Sequence, residues 1–517
     1  MDQLGAQDAQ YLFLEEAGGV ANISGVYVFD QSTAPDGGVV RFREVVERLS
    51  QRIEAAPLLK RKLMRVPFEL DYPYWVEDPH FEIEYHVRHA RLPKPSDWRQ
   101  FCIHVARFHS RPLDLGRPLW EAYVVEGLEN VAGLPKSAFS LIWKAHHAMM
   151  DGASSVQLMN AMMDLSPDGP PAFVFPPQRK KAARNPSFPE MIARAAFNHA
   201  RAPAEMARAV VKSSPMIGRS LAGAARSGLR KPVGVPHTPF NMPVSRHRAF
   251  DAAELSLAEV KAVRAAYPEA TINDILLAIV SGGLRRYLAD KNALPEASLI
   301  TISPINMRPK EAFSGKGELK NDITAMSLPL YTDIAHPIER LKAIVRSTRK
   351  AKAGKTGLAT RLMADLTQHL PPTAMALASR ALLQIVENRA PMSNLIVSNV
   401  PGGKDALYFC GARMTSAYGM APLGRNMGLF VTVGSYLDKV PIAVTTTREI
   451  VPDTPALMKA FRESFEELKQ AAEKRLKSGA AKPPAVLKKL KTRAAAQEAP
   501  SGDERPAGEA AHPLTPH

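Results

Sequence analysis

The chain of 517 residues has only two cysteines, Cys102 and Cys410, and they stand far apart. That excludes a CxxC redox or zinc motif, and it is too few for a disulfide framework. A reducing compartment is the simpler setting. Long apolar runs are missing too. The best, Ile275 to Val280, is short and is followed by Arg285 and Arg286, whereas a membrane-spanning helix needs about 20 apolar residues. The opening Met1 to Gln10 carries acids and no apolar core, so it does not read as a secretory signal. There is no G-x-S-x-G, which removes the nucleophile elbow of an α/β-hydrolase. No internal repeat of fixed short period is present.

Acids are scarce in one place. The net charge is +16 overall. Between Arg179 and Lys231 twelve basic residues stand against only Glu190 and Glu205, which leaves +10 in that segment. Arg194, Arg201 and Arg208 recur every seven residues, as do Lys212, Arg219 and Arg226. Seven residues is close to two helical turns, so each series predicts a basic stripe. Such a stripe beside Met191, Ile192, Phe197, Met206, Val210 and Val211 suits an anionic membrane or lipid-droplet surface. The plainer reading is a solvated face, or a linker packed on its own protein. Nucleic acid is not expected, because no reader motif accompanies the charge.

What is present is otherwise the mix of a globular protein, 45% hydrophobic and 23% charged. Residues 1–165 read as α/β, with strands at Ile23 to Phe29 and Ala138 to Ala145 and helices at Phe42 to Glu54 and Trp98 to His109. Residues 166–245 open on the turn cluster Ser166 to Pro171 and continue as a basic, partly helical linker broken at Pro203 and Pro215. Residues 246–477 are α/β again. Ser256 to Glu259 is a capping box, and Thr271 is the expected N-cap of the next helix. Strands follow at Leu299 to Ile305, Ala325 to Leu330, Leu395 to Asn399, Leu429 to Tyr436 and Ile442 to Thr447. A last amphipathic helix runs from Thr454 to Lys477. Residues 478–517 lack apolar periodicity and read as a disordered tail.

The chemistry gathers at His146-His147-Ala148-Met149-Met150-Asp151-Gly152. A strand runs into the two histidines and a helix follows Gly152, with Ser154 or Ser155 as its cap. His147 therefore sits on a scaffolded connection, where functional groups often face a cleft. Two adjacent histidines alone also fit a structural pair. A metal site would need a third ligand at regular spacing beyond His147 and Asp151, and none is present. General-base chemistry fits the residue type: neutral imidazole, with a pKa of about 6.5, takes a proton from an alcohol near neutral pH. The alcohol could then attack a thioester directly, without an acyl-enzyme.

H-H-x-x-x-D-G is similar to the signature of the CoA-dependent acyltransferase superfamily, which includes chloramphenicol acetyltransferase and the condensation domains of peptide synthetases. More of the chain, over about residues 1–470, resembles one branch, the bacterial wax ester synthase/diacylglycerol acyltransferase family. The resemblance is carried by Trp75 to Pro79 with His86 to Arg88, Pro118 to Glu121, Asn273 to Ala278, Pro304 to Arg308, Ser398 to Gly402, Ser435-Tyr436 and Arg448 to Asp453.

The resemblance implies an α/β fold of two chloramphenicol-acetyltransferase-like subdomains, 1–165 and 246–477, with an active-site tunnel between them. It implies acyl-CoA as co-substrate, no cofactor or metal, and a lipid alcohol acceptor, either diacylglycerol or a fatty alcohol. Carried over to these positions, His147 is the general base and His146 supports it. Asp151 turns toward an arginine, Arg308 being the expected partner. Gly152 lets backbone and substrate approach, Asn273 faces the thioester oxygen, and Ser398 and Asn399 line the tunnel. Pro118, Leu119 and Trp120 are expected to be structural. The chain departs from the family where Gly19 to Ile23 replaces a Pro-Met-His segment, and where Lys320 precedes Asn321 in place of glycine. The expected location is cytoplasmic, peripheral on the inner membrane face or on lipid droplets. Two rival readings are acylation of another secondary-metabolite alcohol and a catalytically inactive membrane or lipid-droplet coat protein.

Overall fold

The computed structural model describes residues 2–16, 19–174, 185–226, 234–306, 323–353, 371–375, 377 and 391–478. Strand β1 (Asp2–Gln3) and helix α1 (Ala6–Glu16) lead to β2 (Asn22–Asp30), α2 (Pro35–Gly38) and α3 (Phe42–Ile53). Then come β3 (Arg61–Met64), β4 (Tyr74–Glu77), α4 (Ile83–His86), β5 (Val87–Arg91), α5 (Trp98–Ser110), β6 (Trp120–Glu126) and β7 (Ala138–His146). Helices α6 (Gly152–Met162) and α7 (Phe188–Arg226) precede β8 (Arg248–Ser256), α8 (Leu257–Ala266), α9 (Ile272–Asp290), β9 (Ile300–Asn306), β10 (Ile323–Pro329) and α10 (Pro337–Ala353). The described chain closes with β11 (Leu395–Pro401), β12 (Tyr408–Phe409), β13 (Ala412–Met420), β14 (Leu429–Ser435), β15 (Lys439–Thr447) and α11 (Thr454–Lys477).

Local chemistry explains the elements. In α3, Val45, Leu49 and Ile53 recur every four residues and are all buried, the stripe of a helix lying on a sheet. Asp97 caps α5 by accepting from the Gln100 N–H at 2.8 Å. Ser256 caps α8, and Thr271 with Asp274 forms a reciprocal capping box on α9. In β7 all nine residues are buried, as expected of a central strand covered on both faces.

Two six-stranded mixed sheets carry the fold. The first has the order β12-β13-β2-β7-β6-β5 and the second β10-β9-β11-β14-β15-β8. Helices α1, α3 and α6 pack on the first sheet through Leu12, Val45, Leu49, Leu158 and Met162. Helices α8 to α11 pack on the second through residues such as Val260, Ile279, Leu341 and Phe461. This is the two-part α/β architecture expected from the sequence, with one difference in how the chain is shared. Strands β12 and β13 come from the C-terminal half yet belong to the first sheet, β13 pairing antiparallel with β2 from Arg413↔Asp30 to Met420↔Ser24. A cut at residue 245 therefore does not separate the sheets. A third core cluster joins Val26, Phe101 and Val105 to Phe250, Ala252 and Tyr418, so both halves share apolar burial.

Helix α7 runs continuously from Phe188 to Arg226. It passes through Pro203 and Pro215, which the sequence reading took as breaks. Proline's φ is already helical, so each proline costs a backbone hydrogen bond and local straightness rather than forcing an end. The N-terminal part is held by tertiary contacts: Met191 and Ala195 pack on Val66, Tyr74 and Val76, and the His199 ring donates to the Leu70 carbonyl at 2.7 Å. Segments 175–184, 227–233 and 479–517, with part of the basic stretch and the proposed tail, lie outside the described residues.

Trp120 locks β6 to β7. Its ring stacks on Trp143 at 4.6 Å and 5°, and on His86 at 4.6 Å, while its Nε1–H donates to the Leu59 carbonyl at 2.7 Å. Replacing Trp120 by alanine deletes a buried double stack and leaves the Leu59 carbonyl unpaired. We expect Trp120→Ala to lower unfolding free energy by about 3–5 kcal/mol, read from the urea midpoint at unchanged slope.

Candidate active site

The histidine pair stands where β7 ends. β2 and β7 are antiparallel neighbours, and the register sets Asn22 opposite His146. Backbone bonds hold both histidines from two sides: the His146 N–H donates to the Leu119 carbonyl at 3.0 Å and the His147 N–H to the Ala21 carbonyl at 2.8 Å. The Pro118-Leu119-Trp120 segment thus props the pair from behind, in keeping with a structural role. The stretch from Gly19 to Ile23, where the chain departs from the family it resembles, is the strut on the other side.

The two side chains do different things. His146 is fully buried, and both of its ring nitrogens are engaged. Its Nδ1 accepts from the Ala148 N–H at 3.1 Å, and its Nε2 lies 2.9 Å from Glu15 Oε2. A backbone N–H can only donate, so Nδ1 carries no proton and Nε2–H donates to the carboxylate. His147 instead lines a cavity. Its ring stacks on Tyr11 with centroids 3.9 Å apart and planes at 13°. Burial pushes the His147 pKa down to about 4, opposed by a hydrogen bond to its own backbone and then by Asp151, so the imidazole is neutral at pH 7.

The cavity, of about 510 Å³, lies where the two halves meet. The first half contributes Tyr11 and Glu15 from α1, Ile23, Ser24 and Tyr27 from β2, and Gly152, Ser155 and Met159 from α6. The second sheet contributes Ile302, Ser398, Val400, Phe430, Thr432 and Ala443, and β13 adds Met414, Tyr418 and Met420. This size and largely apolar wall suit a small-molecule or acyl-chain site.

The other expected site residues separate into groups. Ser398 lines the cavity, but Asn399 does not: successive strand side chains point to opposite faces, and Asn399 lies behind β11. There its Nδ2 donates to Asn273 Oδ1 at 3.0 Å. Asn273 therefore meets Asn399 and is not among the residues lining the cavity. Asp151 caps α6 by accepting from the Ser154 N–H at 2.7 Å, displacing Ser154 and Ser155 from the capping role read from sequence. Its expected partner Arg308 lies outside the described residues, as does Lys320. Gly152 lines the cavity, and a Cβ added there would meet Val400 Cγ2 at 3.7 Å, an ordinary contact. The glycine therefore keeps space in the cavity open rather than relieving a clash. At Gly402 the opposite holds, since a Cβ would sit 2.1 Å from the Ser435 carbonyl oxygen.

Sequence reasoning missed Tyr11 and Glu15. Their spacing of four places them on one helical face, beside the buried Ala9 and Leu12, and that amphipathic pattern was the available signal. It also missed a buried polar network under the β2–β7 end. Asn22 Nδ2 donates to the carbonyls of His109 and Arg111 at 3.0 and 2.8 Å. Ser24 Oγ meets His109 Nδ1 at 2.9 Å. The buried Lys144 ammonium pairs with Glu121 at 2.9 Å and donates to the Arg111 carbonyl at 3.1 Å. Burial, with Arg248 and Lys144 nearby, pushes His109 down to about 3.

A sequence profile of the wax ester synthase/diacylglycerol acyltransferase catalytic domain matches residues 4–276, and one of the C-terminal domain matches residues 319–469. The chain belongs to the wax ester synthase/diacylglycerol acyltransferase family. It is 31% identical to a Mycobacterium tuberculosis protein named as a diacylglycerol O-acyltransferase, over 92% of this chain and 91% of the relative. Among solved structures it is similar to the wax ester synthase/diacylglycerol acyltransferase of Marinobacter aquaeolei VT8, with a TM-score of 0.64, 24% identity, and 92% of this chain and 100% of that chain covered. The trichothecene 15-O-acetyltransferase of Fusarium sporotrichioides shares the fold at a TM-score of 0.57 and 11% identity, covering 91% and 95% of the two chains.

His109 and His147 are both neutral in the folded protein well below their unfolded value of about 6.5. Below that value the unfolded chain binds protons that the folded chain refuses, so stability falls as pH drops. We expect each group to cost up to about 1.4 kcal/mol per pH unit between pH 6.5 and its folded value, seen as a falling urea midpoint from pH 7 to pH 5.

Proposed function

We propose that the protein transfers a long-chain acyl group from acyl-CoA to diacylglycerol, a fatty alcohol or both, with His147 as general base. One observation carries this reading: in a chain of this family, the His147 ring is the imidazole that lines a cavity with a mainly apolar wall built by both halves. Acyl-CoA enters from one side and the acceptor from the other, which makes the cavity the middle of a tunnel. The acceptor hydroxyl gives its proton to neutral His147 as its oxygen attacks the thioester carbon. The C–S bond then breaks, and the imidazolium returns the proton to the leaving CoA thiolate. The thioester supplies the acyl group already activated, so the reaction calls for no resident cofactor or metal.

Each neighbour has a supporting task. His146, with both nitrogens engaged by Glu15 and Ala148, fixes the turn that aims His147. Asp151 starts α6 and keeps its charge near the forming imidazolium. Gly152 and Ser398 contact substrate. Asn273 ties the start of α9 to the end of β11 behind Ser398, through Asn399.

The protein works at a lipid surface. Arg194, Arg201 and Arg208 are exposed on α7, and Phe188, Phe197 and Val211 on the same helix are exposed as well. The Arg201 guanidinium lies 4.7 Å above the Phe197 ring. Cationic heads beside exposed aromatics suit the anionic inner face of a membrane or a lipid droplet. No helix among the described residues is long and apolar enough to cross a membrane.

His147→Ala should reduce ester formation from palmitoyl-CoA and hexadecanol by about 10²–10⁴-fold while the folded circular dichroism spectrum is kept. Wild-type turnover in that variant would remove the base assignment. Chromatography of products from labelled palmitoyl-CoA, offered hexadecanol and diacylglycerol separately, identifies the acceptor. Neutralising Arg194, Arg201 and Arg208 to glutamine should weaken flotation with anionic vesicles at low salt, by about 1 kcal/mol per charge removed. Unchanged flotation would refute the surface role.

A further inference from the structure

One face of α1 touches both histidines. Tyr11 and Glu15 are four residues apart and so project from neighbouring turns on the same side. Glu15 Oε2 accepts a hydrogen bond from His146 Nε2–H at 2.9 Å. Tyr11 lies flat on the His147 ring, 3.9 Å between centroids and 13° between planes. A stacked ring meets the face of the imidazole and leaves its in-plane nitrogen lone pairs to other partners. The two contacts therefore differ in kind, since one occupies a ring nitrogen and the other covers only π surface.

In the acyl-transfer reading, His147 becomes a cation in mid-reaction inside a buried site. Few charges are there to help it. Asp151, on the connection just after the base, acts favourably. On α1, Asp8 lies near Tyr11 and Glu15 is engaged with His146. The described cavity-lining residues of β9, β11, β13, β14 and β15 bring no acid and no cation, and Tyr27, Tyr418 and Tyr436 on the wall are held neutral by burial. Arg425, in the loop between β13 and β14, is a cation on the same wall and would oppose the imidazolium.

We propose that Tyr11 is a positioning residue for acyl transfer: its ring face stabilises the His147 imidazolium as it forms and holds the imidazole edge toward the cavity. The face of an aromatic ring carries the negative part of its quadrupole and attracts a cation lying over it. The stack is already made with neutral imidazole, so the stabilisation grows as charge develops, without rearrangement. The phenol hydroxyl is not part of the effect. Burial and the charges of Asp8 and Asp151 keep it protonated, so it is not a rival base. Phenylalanine at position 11 should then serve as well as tyrosine, and an aliphatic residue should not.

The inference rests on His147 being the base, and its test separates the two ideas. Tyr11→Phe and Tyr11→Leu are compared in the full-length protein by pH profiles of kcat/KM with palmitoyl-CoA and hexadecanol. In parallel, the ring proton of His147 is titrated by NMR in protein labelled at histidine with carbon-13. The stack predicts that Tyr11→Leu lowers kcat about tenfold, leaves KM for both substrates nearly unchanged, and moves the acid limb and the NMR pKa to lower pH. Tyr11→Phe stays within about twofold of wild type on every measure. If Tyr11→Leu instead moves the acid limb up toward pH 6.5, the ring only kept water out, and the proposal fails. Equal kcat in Tyr11→Leu and wild type overturns it as well. Should Tyr11→Leu not fold, pentafluorophenylalanine at position 11 keeps the ring's shape and inverts its quadrupole. A kcat and NMR pKa matching those of Tyr11→Phe would then overturn the idea. The NMR titration reports on the stack even if His147→Ala shows that another group is the base.

Discussion

The seam between the halves depends on the pairing of β13 with β2. Through it, residues from the far end of the chain become the edge of the sheet that carries the histidines. β2 in turn pairs with β7, and that register sets Asn22 opposite His146. A slip of one residue in either pairing would turn every side chain on the strand to the opposite face. Ser24 would then leave His109, and Ile23 and Tyr27 would leave the cavity wall. The crossover thus fixes the shape of the cavity and the position of its lining residues, as well as the link between the halves.

Around this frame the polar groups are sorted by what they touch. His146, Asn22, Lys144 and His109 are buried and bonded to fixed carbonyls or carboxylates, which binds the end of β7 to the turn after α5. The His147 ring also meets an aromatic face, that of Tyr11. Burial keeps it neutral at pH 7, the state in which an imidazole can accept a proton.

Much of the framework is legible in the sequence because periodicity is local. β7, β14, α8 and α11 stand where their apolar patterns place them, and the Thr271 cap and the histidine connection are as expected. What was not legible is of two kinds. Long-range pairing leaves no local trace, so nothing in Ala412 to Met420 announces that it belongs to the first sheet. Direction is the other. Ser398 and Asn399 read alike as neighbours at a strand end, yet alternation sends one to the cavity and the other to Asn273. Asp151 likewise is expected from the resemblance to turn toward an arginine, and nothing in its spacing announces that its carboxylate closes the first turn of α6. Tyr11 and Glu15 are seen as one face only when the helix is laid against the histidines.

The crossover also bears on how such a chain can be divided. A gene split within the linker would give a C-terminal fragment that carries away β12 and β13. The N-terminal fragment would be left with β2 as a bare strand edge, its N–H and C=O groups open to any passing strand. Neither piece is a closed folding unit.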